Sequence, residues 1–99
     1  MILSVGQSHF ELGNLAANLD HLRFLLDEAA RQGADVLVLP ELASSGYLFV
    51  TPAEASAAAE EIPTGPASRL LAEWSRDERL VVCGICERSR QQLFNSAAV

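Results

Sequence analysis

The chain contains no lysine. All seven of its basic residues are arginines, set against thirteen aspartates and glutamates for a net charge of -6. A surface with that balance repels a phosphate backbone, which argues against nucleic acid as a partner. It also leaves any site in the chain without an ammonium group. Nor does any stretch approach the roughly 20 consecutive apolar residues that span a bilayer. Met1-Ile2-Leu3-Ser4-Val5-Gly6 lacks both the basic flank and the long apolar core of a secretion signal. Cysteine is scarce too: Cys83 and Cys86 are the two present, close together, which gives no disulfide framework and fits a reducing, cytoplasmic compartment. The six glycines never assemble into GxGxxG or GxxxxGK, so nothing supports nucleotide binding.

What is present is a composition for folding. Ninety-nine residues, 49% of them hydrophobic, suffice for one small domain, although a domain of this size removes only about two-thirds of its unfolded surface from water. Ile2 to Gln7 reads as a strand and Ser8 to Gly13 as a connection. Asn14 is a suitable N-cap for a helix whose apolar stripe is Leu15, Leu19, Leu22, Leu26, Ala29 and Ala30, with Gly33 as its stop. Asp20, Arg23, Asp27 and Arg31 line the opposite stripe at spacings that allow ion pairs.

Val36 to Leu39 is an unbroken apolar run, the pattern of a parallel strand covered by helices on both faces. Thr51-Pro52-Ala53-Glu54 has the parts of a helix start, a hydroxyl cap with a glutamate three residues on to reach back to its amide, and the alanine-rich helix runs through Glu60. Pro63-Thr64-Gly65-Pro66 breaks it and opens another helix, with Leu70, Leu71 and Trp74 toward the sheet and Arg69, Glu73, Arg76 and Asp77 in water. Leu80 to Cys86 is a further strand. Glu87 to Gln92 is expected to turn into an antiparallel strand over Leu93 to Val99. The sequence stops inside that strand, the pattern expected of a polypeptide cut short.

Few residues carry chemistry. Cys83 and Cys86 have CxxC spacing, but three residues along a strand reverses the face, so they read as core filling rather than as a redox or zinc pair. His9 and His21 share no acidic partner and read as loop or surface residues. Glu41 stands out, because it directly follows Val36-Leu37-Val38-Leu39-Pro40, where a strand's carboxyl end would deliver a side chain into a site. Position alone leaves two roles open: a site carboxylate, or a loop acid facing water.

Val36-Leu37-Val38-Leu39-Pro40-Glu41 followed by Ser45-Gly46-Tyr47 resembles the first catalytic motif of the nitrilase superfamily of carbon-nitrogen hydrolases. The resemblance runs on through Gln7, Asn18, Gly33-Ala34-Asp35, Ile62-Pro63-Thr64-Gly65-Pro66, Gly84-Ile85 and Phe94-Asn95-Ser96-Ala97, in the same order. It implies an α/β fold, the amino-terminal portion of an α-β-β-α sandwich with about four strands, so that residues 1–99 form a partial domain truncated after the fourth strand. A half-sandwich would leave apolar sheet surface uncovered.

The resemblance also implies a thiol hydrolase that cleaves amide, carbamoyl or nitrile carbon–nitrogen bonds through glutamate, lysine and cysteine. Glu41 matches the glutamate, the general base, with desolvation in a partly dry pocket raising its proton affinity. Tyr47 is a candidate for the acyl pocket. The lysine and the nucleophilic cysteine have no counterpart here, so the 99-residue chain alone is expected to be inert. A small-molecule substrate, no cofactor, no metal, no membrane and a homo-oligomer at full length complete the expectation. The alternative is a noncatalytic α/β interaction module.

Overall fold

The computed structural model describes residues 1–99, which fold in the order β1 (Leu3–Val5), α1 (Leu15–Arg31), β2 (Val36–Val38), α2 (Pro52–Ala58), α3 (Pro66–Trp74), β3 (Leu80–Ser89) and β4 (Gln92–Ala98). The four strands form one sheet in sequence order. β1, β2 and β3 are parallel and β4 is antiparallel to β3. That arrangement follows from the links: helices separate the parallel strands, whereas two residues join β3 to β4.

α1 forms where the sequence places it. The Asn14 side chain accepts the Ala17 amide at 3.2 Å, and Leu22, Leu26 and Ala29 turn inward together with Asn18. Two ion pairs form on its wet side, Arg23 with Asp20 at 2.8 Å and Arg31 with Glu28 rather than with Asp27. Each exposed pair of this kind contributes only about 0.3–0.5 kcal/mol. Leu15, at the start of the expected stripe, is 44% exposed.

α3 buries Ala67, Ser68, Leu71 and Trp74. Trp74 is core, as its sequence setting indicates, and it also ties α3 to α1: its indole N–H donates to the Leu26 carbonyl at 2.8 Å. The Arg79 guanidinium lies 4.6 Å from the ring centroid, a cation–π contact on the indole.

Both of these helices share one core with Leu37, Val81, Cys83 and Ile85. The register places Leu3, Val36 and Leu80 level with one another, and likewise Val5, Val38 and Val82, so these six side chains share the opposite face. There Leu3 is 63%, Val5 71% and Leu80 46% exposed. The apolar run of β2 had implied helices above and below; α1 and α3 instead cover one face, and the other is left apolar and open.

Several boundaries differ from the sequence reading, β2 ending at Val38 and β4 running from Gln92 to Ala98 among them. β1 is shorter than Ile2–Gln7, although the chain still tracks β2 at both ends, where Asp35 N donates to Ile2 O at 2.9 Å and Gly6 N to Val38 O at 2.8 Å. α2 stops at Ala58, and its Glu54 carboxylate accepts from the Val50 amide at 2.8 Å rather than from that of Thr51. β3 runs on to Ser89, leaving only Arg90 and Gln91 to turn, both at positive φ (49° and 65°). Polar Glu87, Arg88 and Ser89 stay extended because they pair with Phe94, Leu93 and Gln92. Glu60 clamps the same stretch from the other side, its amide donating to Cys86 O at 3.0 Å and its carbonyl accepting from Arg88 N at 2.8 Å.

Candidate active site

The chain leaves the sheet at Glu41, and its departure is tightly held. Leu39 N donates to Val82 O at 2.8 Å, Gly84 N to Pro40 O at 3.1 Å, and Ala43 N to Gly84 O at 3.0 Å. Between the last two contacts the backbone must swing away abruptly. Leu42 does this by taking a left-handed conformation, φ 51°, at a cost of roughly 1–2 kcal/mol for a residue with a side chain. Strain of this kind persists only where surrounding bonds hold it, and it gathers at functional sites. Here Gly46 N donates back to Leu42 O at 2.9 Å, closing a turn. Gly46 itself has φ 78°, and a β-carbon on it would sit 2.8 Å from the Leu12 backbone, so this close approach requires glycine.

Asn18 fastens the turn to the helical layer. Although 2% exposed, it satisfies its amide fully: Nδ2 donates to Ser44 O at 3.0 Å and Glu11 O at 2.7 Å, and Oδ1 accepts from Glu11 N at 2.8 Å. A buried side-chain amide with three partners fixes a loop more firmly than apolar packing does, because losing it strands several polar groups at once.

The result is a carboxylate at the carboxyl end of β2 with a donor on each oxygen. Tyr47 Oη donates to Glu41 Oε2 at 2.7 Å, and Asn95 Nδ2, from β4, donates to Oε1. Glu41 is exposed. The hydrogen bond from Tyr47, then that from Asn95, hold its pKa below the ordinary 4.5, outweighing a small opposing effect of desolvation. The direction expected for a dry pocket is thus reversed, since in this chain bonding to the charged form outweighs removal of water. The same bond raises the Tyr47 hydroxyl above 10.0, because ionisation would forfeit the proton it donates to Glu41; loss of water and repulsion between the two anions add to this in turn. Tyr47 is 48% exposed and stands against the carboxylate.

The remaining candidates lie elsewhere. Cys83 and Cys86 are free and buried. Burial, with a smaller contribution from Glu60, pushes the Cys83 thiol up to about 12, and burial also raises Cys86; both are held as thiols. His9 is exposed. His21 is half-buried, bonded to the Ser8 hydroxyl and stacked beside Phe24 at 6.2 Å, with Phe10 edge-on at 5.4 Å. A cavity of about 320 Å³ lies between Leu12, Gly13, Ser44, Ser45 and α2, and neither Glu41 nor Tyr47 lines it. No three His, Cys, Asp or Glu side chains gather as a metal site would require.

Two residues gained their importance only from the structure. Asn95 had been one letter of a motif, and its place on Glu41 depends on strand register. Glu60 had been the end of an alanine-rich helix. In fact it is 6% exposed and its carboxylate accepts from Ala67 N at 3.3 Å, Ser68 N at 3.0 Å and Ser68 Oγ at 2.9 Å, capping α3 from outside the helix. Its signal in sequence was the glycine cap of α3, which has no side chain with which to satisfy those amides.

Comparison with known proteins bears on the family and the fold. Residues 3–99 match the carbon-nitrogen hydrolase family. The chain is 41% identical to a nitrilase from Pyrococcus abyssi (strain GE5 / Orsay) over 76 residues, which is 76% of this chain and 29% of that protein. Its fold matches the crystal structures of an N-terminal amidase and of a cysteine-to-serine variant of it, each with a TM-score of 0.79 and 23% identity, covering 94% of this chain and 23% of the amidase. The chain thus spans less than a third of the length of these relatives. With the family's pattern matched along almost all of its residues and its fold, four strands and three helices, that of the nitrilase superfamily's amino-terminal part, this chain belongs to the carbon-nitrogen hydrolase family.

Proposed function

We propose that this chain supplies the general base of a thiol hydrolase that cleaves non-peptide carbon–nitrogen bonds in amides, carbamoyl groups or nitriles, and that Glu41 is that base. The observation that carries the reading is the double anchorage of the Glu41 carboxylate by Tyr47 and Asn95 at the carboxyl end of β2. A carboxylate with depressed pKa is fully ionised near neutrality, so it is in the proton-accepting form. It takes the proton of a cysteine thiol, and the thiolate attacks the electrophilic carbon. With an amide or carbamoyl group the nitrogen departs with that proton, the carboxylate then deprotonates the water that attacks the thioester, and the proton returns to the departing cysteine sulfur; with a nitrile, water must first add to the thioimidate before the nitrogen leaves.

In this reading Tyr47 meets the acyl group beside the base, which its hydrogen bond to Glu41 Oε2 supports. The other two reactive groups are not supplied by the residues present, which include no lysine and whose two cysteines are buried within β3 as protonated thiols. The 99 residues alone are therefore inert in this reading. The open apolar face of β1 to β3 fits the surface that the rest of an α-β-β-α sandwich would cover, and a homo-oligomer of the whole protein belongs to the same reading. The two free thiols fit a cytoplasmic setting.

The test joins this chain to the part of the Pyrococcus abyssi nitrilase that it does not match. Ammonia release from a primary amide should appear in the chimaera and be absent from the 99 residues alone. Glu41→Gln should retain the circular dichroism spectrum and lose the burst of acyl-enzyme. An unchanged burst would overturn the assignment of Glu41 as the base, whereas a folded chimaera that releases no ammonia would leave the noncatalytic interaction module as the better reading.

A further inference from the structure

Glu41 opens a turn whose second residue, Leu42, is left-handed, and a side chain with three rotatable bonds on such a turn has no intrinsic direction. Two partners give it one. Tyr47 comes from the same turn and moves with it. Asn95 comes from β4, opposite Cys86 in a ladder of seven residue pairs, so it is tied to the rigid sheet rather than to the loop. From there its side-chain amide reaches Glu41 Oε1, 54 residues away in sequence.

We propose that Asn95 is a positioning residue for the reaction: its amide holds Glu41 Oε1 against the sheet, leaving Oε2, shared with Tyr47, as the oxygen that exchanges the proton. The inference rests on the reading of Glu41 as the base.

The surroundings fit a role through donated hydrogen bonds rather than through charge. No cation pairs with Glu41. β3 faces it with the backbone of Gly84, and the turn with the Tyr47 hydroxyl. Glu87, the acid on β3 that pairs with Phe94, turns its carboxylate to Ser96 Oγ at 3.1 Å. Asn95 is itself exposed, so it is not retained there to fill space. An amide donor that never titrates is suited to this task, since it binds the carboxylate at any pH at which the carboxylate is charged.

The test is a carbon-13 NMR titration of the Glu41 carboxyl in this 99-residue chain. In the unmodified chain the Asn95 side-chain amide protons should shift with the same midpoint as Glu41, which requires no variant. Asn95→Ala and the uncharged, similarly sized Asn95→Leu should each raise the Glu41 midpoint, by about half a pH unit or more, while the amide spectrum of β4 stays in place; Asn95→Gln, which keeps the donor, should restore part of the difference. Midpoints unchanged in both variants, or Asn95 amide protons indifferent to the Glu41 titration, would overturn the proposal. In the chimaera the same variants should lower kcat with little change in KM and move the acid limb of the pH profile upward. If the titration responds while turnover does not, the positioning contact stands and it is the assignment of Glu41 as base that fails.

Discussion

Gly84 lies directly beneath Glu41: a β-carbon built on it would overlap the Glu41 α-carbon and crowd the carbonyl carbon behind it at 3.1 Å. Strand β3 therefore serves as a floor on which the base is set, and the floor must be bare backbone. Gly84→Ala is expected to push the Pro40 to Ala43 segment off the strand and to cost about 1–3 kcal/mol, the usual range for overpacking a close contact. A lowered urea midpoint together with loss of the common Glu41 and Asn95 titration would show it; an unchanged midpoint would mean that the turn yields freely.

Glu60 presents a different kind of dependence. Its carboxylate is buried against two amides and a hydroxyl at the start of α3, so Glu60→Ala strands three donors at once. The expected loss is on the order of 3 kcal/mol, because bonds to a charged acceptor are individually strong and the donors left behind are cut off from water. Ser68→Ala removes one of the three bonds and should cost only about 1 kcal/mol. Chemical denaturation of the two variants side by side measures the ratio.

Cys83 makes stability fall in alkali. Its thiol is raised from the ordinary 9.0 to about 12 in the folded chain, so on raising the pH the unfolded chain loses this proton first. The stability present below pH 9 is then lost as the pH rises toward 12, at about 1.4 kcal/mol per pH unit between the two values. Tyr47, whose hydroxyl is also raised, acts in the same direction above its own ordinary value. Replacing Cys83 with Ala should flatten the decline between pH 9 and 10, and unfolding curves across that interval will test it. For the same reason, iodoacetamide at pH 8 should label Cys83 only in denaturant.

The open face of the sheet should make the isolated chain self-associate. Leu3 and Val5 expose most of their side chains on the same face as Leu80, and an apolar patch of this kind is normally covered. Leu3→Thr with Val5→Thr puts β-branched residues, which strands favour, at both positions while adding hydroxyls to the face. Sedimentation velocity over a range of concentrations should show association in the original chain and less in the double variant, with the circular dichroism spectrum unchanged.

The element order was legible because it rests on local causes. Asn14 and Thr51 can cap only where helices begin, Gly33 marks the stop of α1, and so short a polar link after β3 leaves β4 no choice but to run antiparallel. The place of Glu41 was legible for a similar reason, since an apolar run followed by proline and an acid marks the end of a strand. Its environment was not. Donors from Tyr47 and Asn95 reversed the expected shift in its proton affinity, and neither contact has a signature in composition or spacing. Glu60 was overlooked because an acid at the end of an alanine-rich stretch reads as solvated, whereas its partners lie in the following helix.

By itself, then, the sequence determined which segments become helix and strand, how they follow one another, and that a single acid stands at the mouth of β2. Hydrophobic period, caps and turn lengths act within a few residues, and these are written in the chain. Only the tertiary structure decided which face of the sheet is covered, which amide holds Glu41 and which buried acid caps α3. Those outcomes depend on register between strands and on contacts across as many as 54 residues, where hydrogen bonds and the exclusion of water are settled by packing rather than by neighbours in sequence.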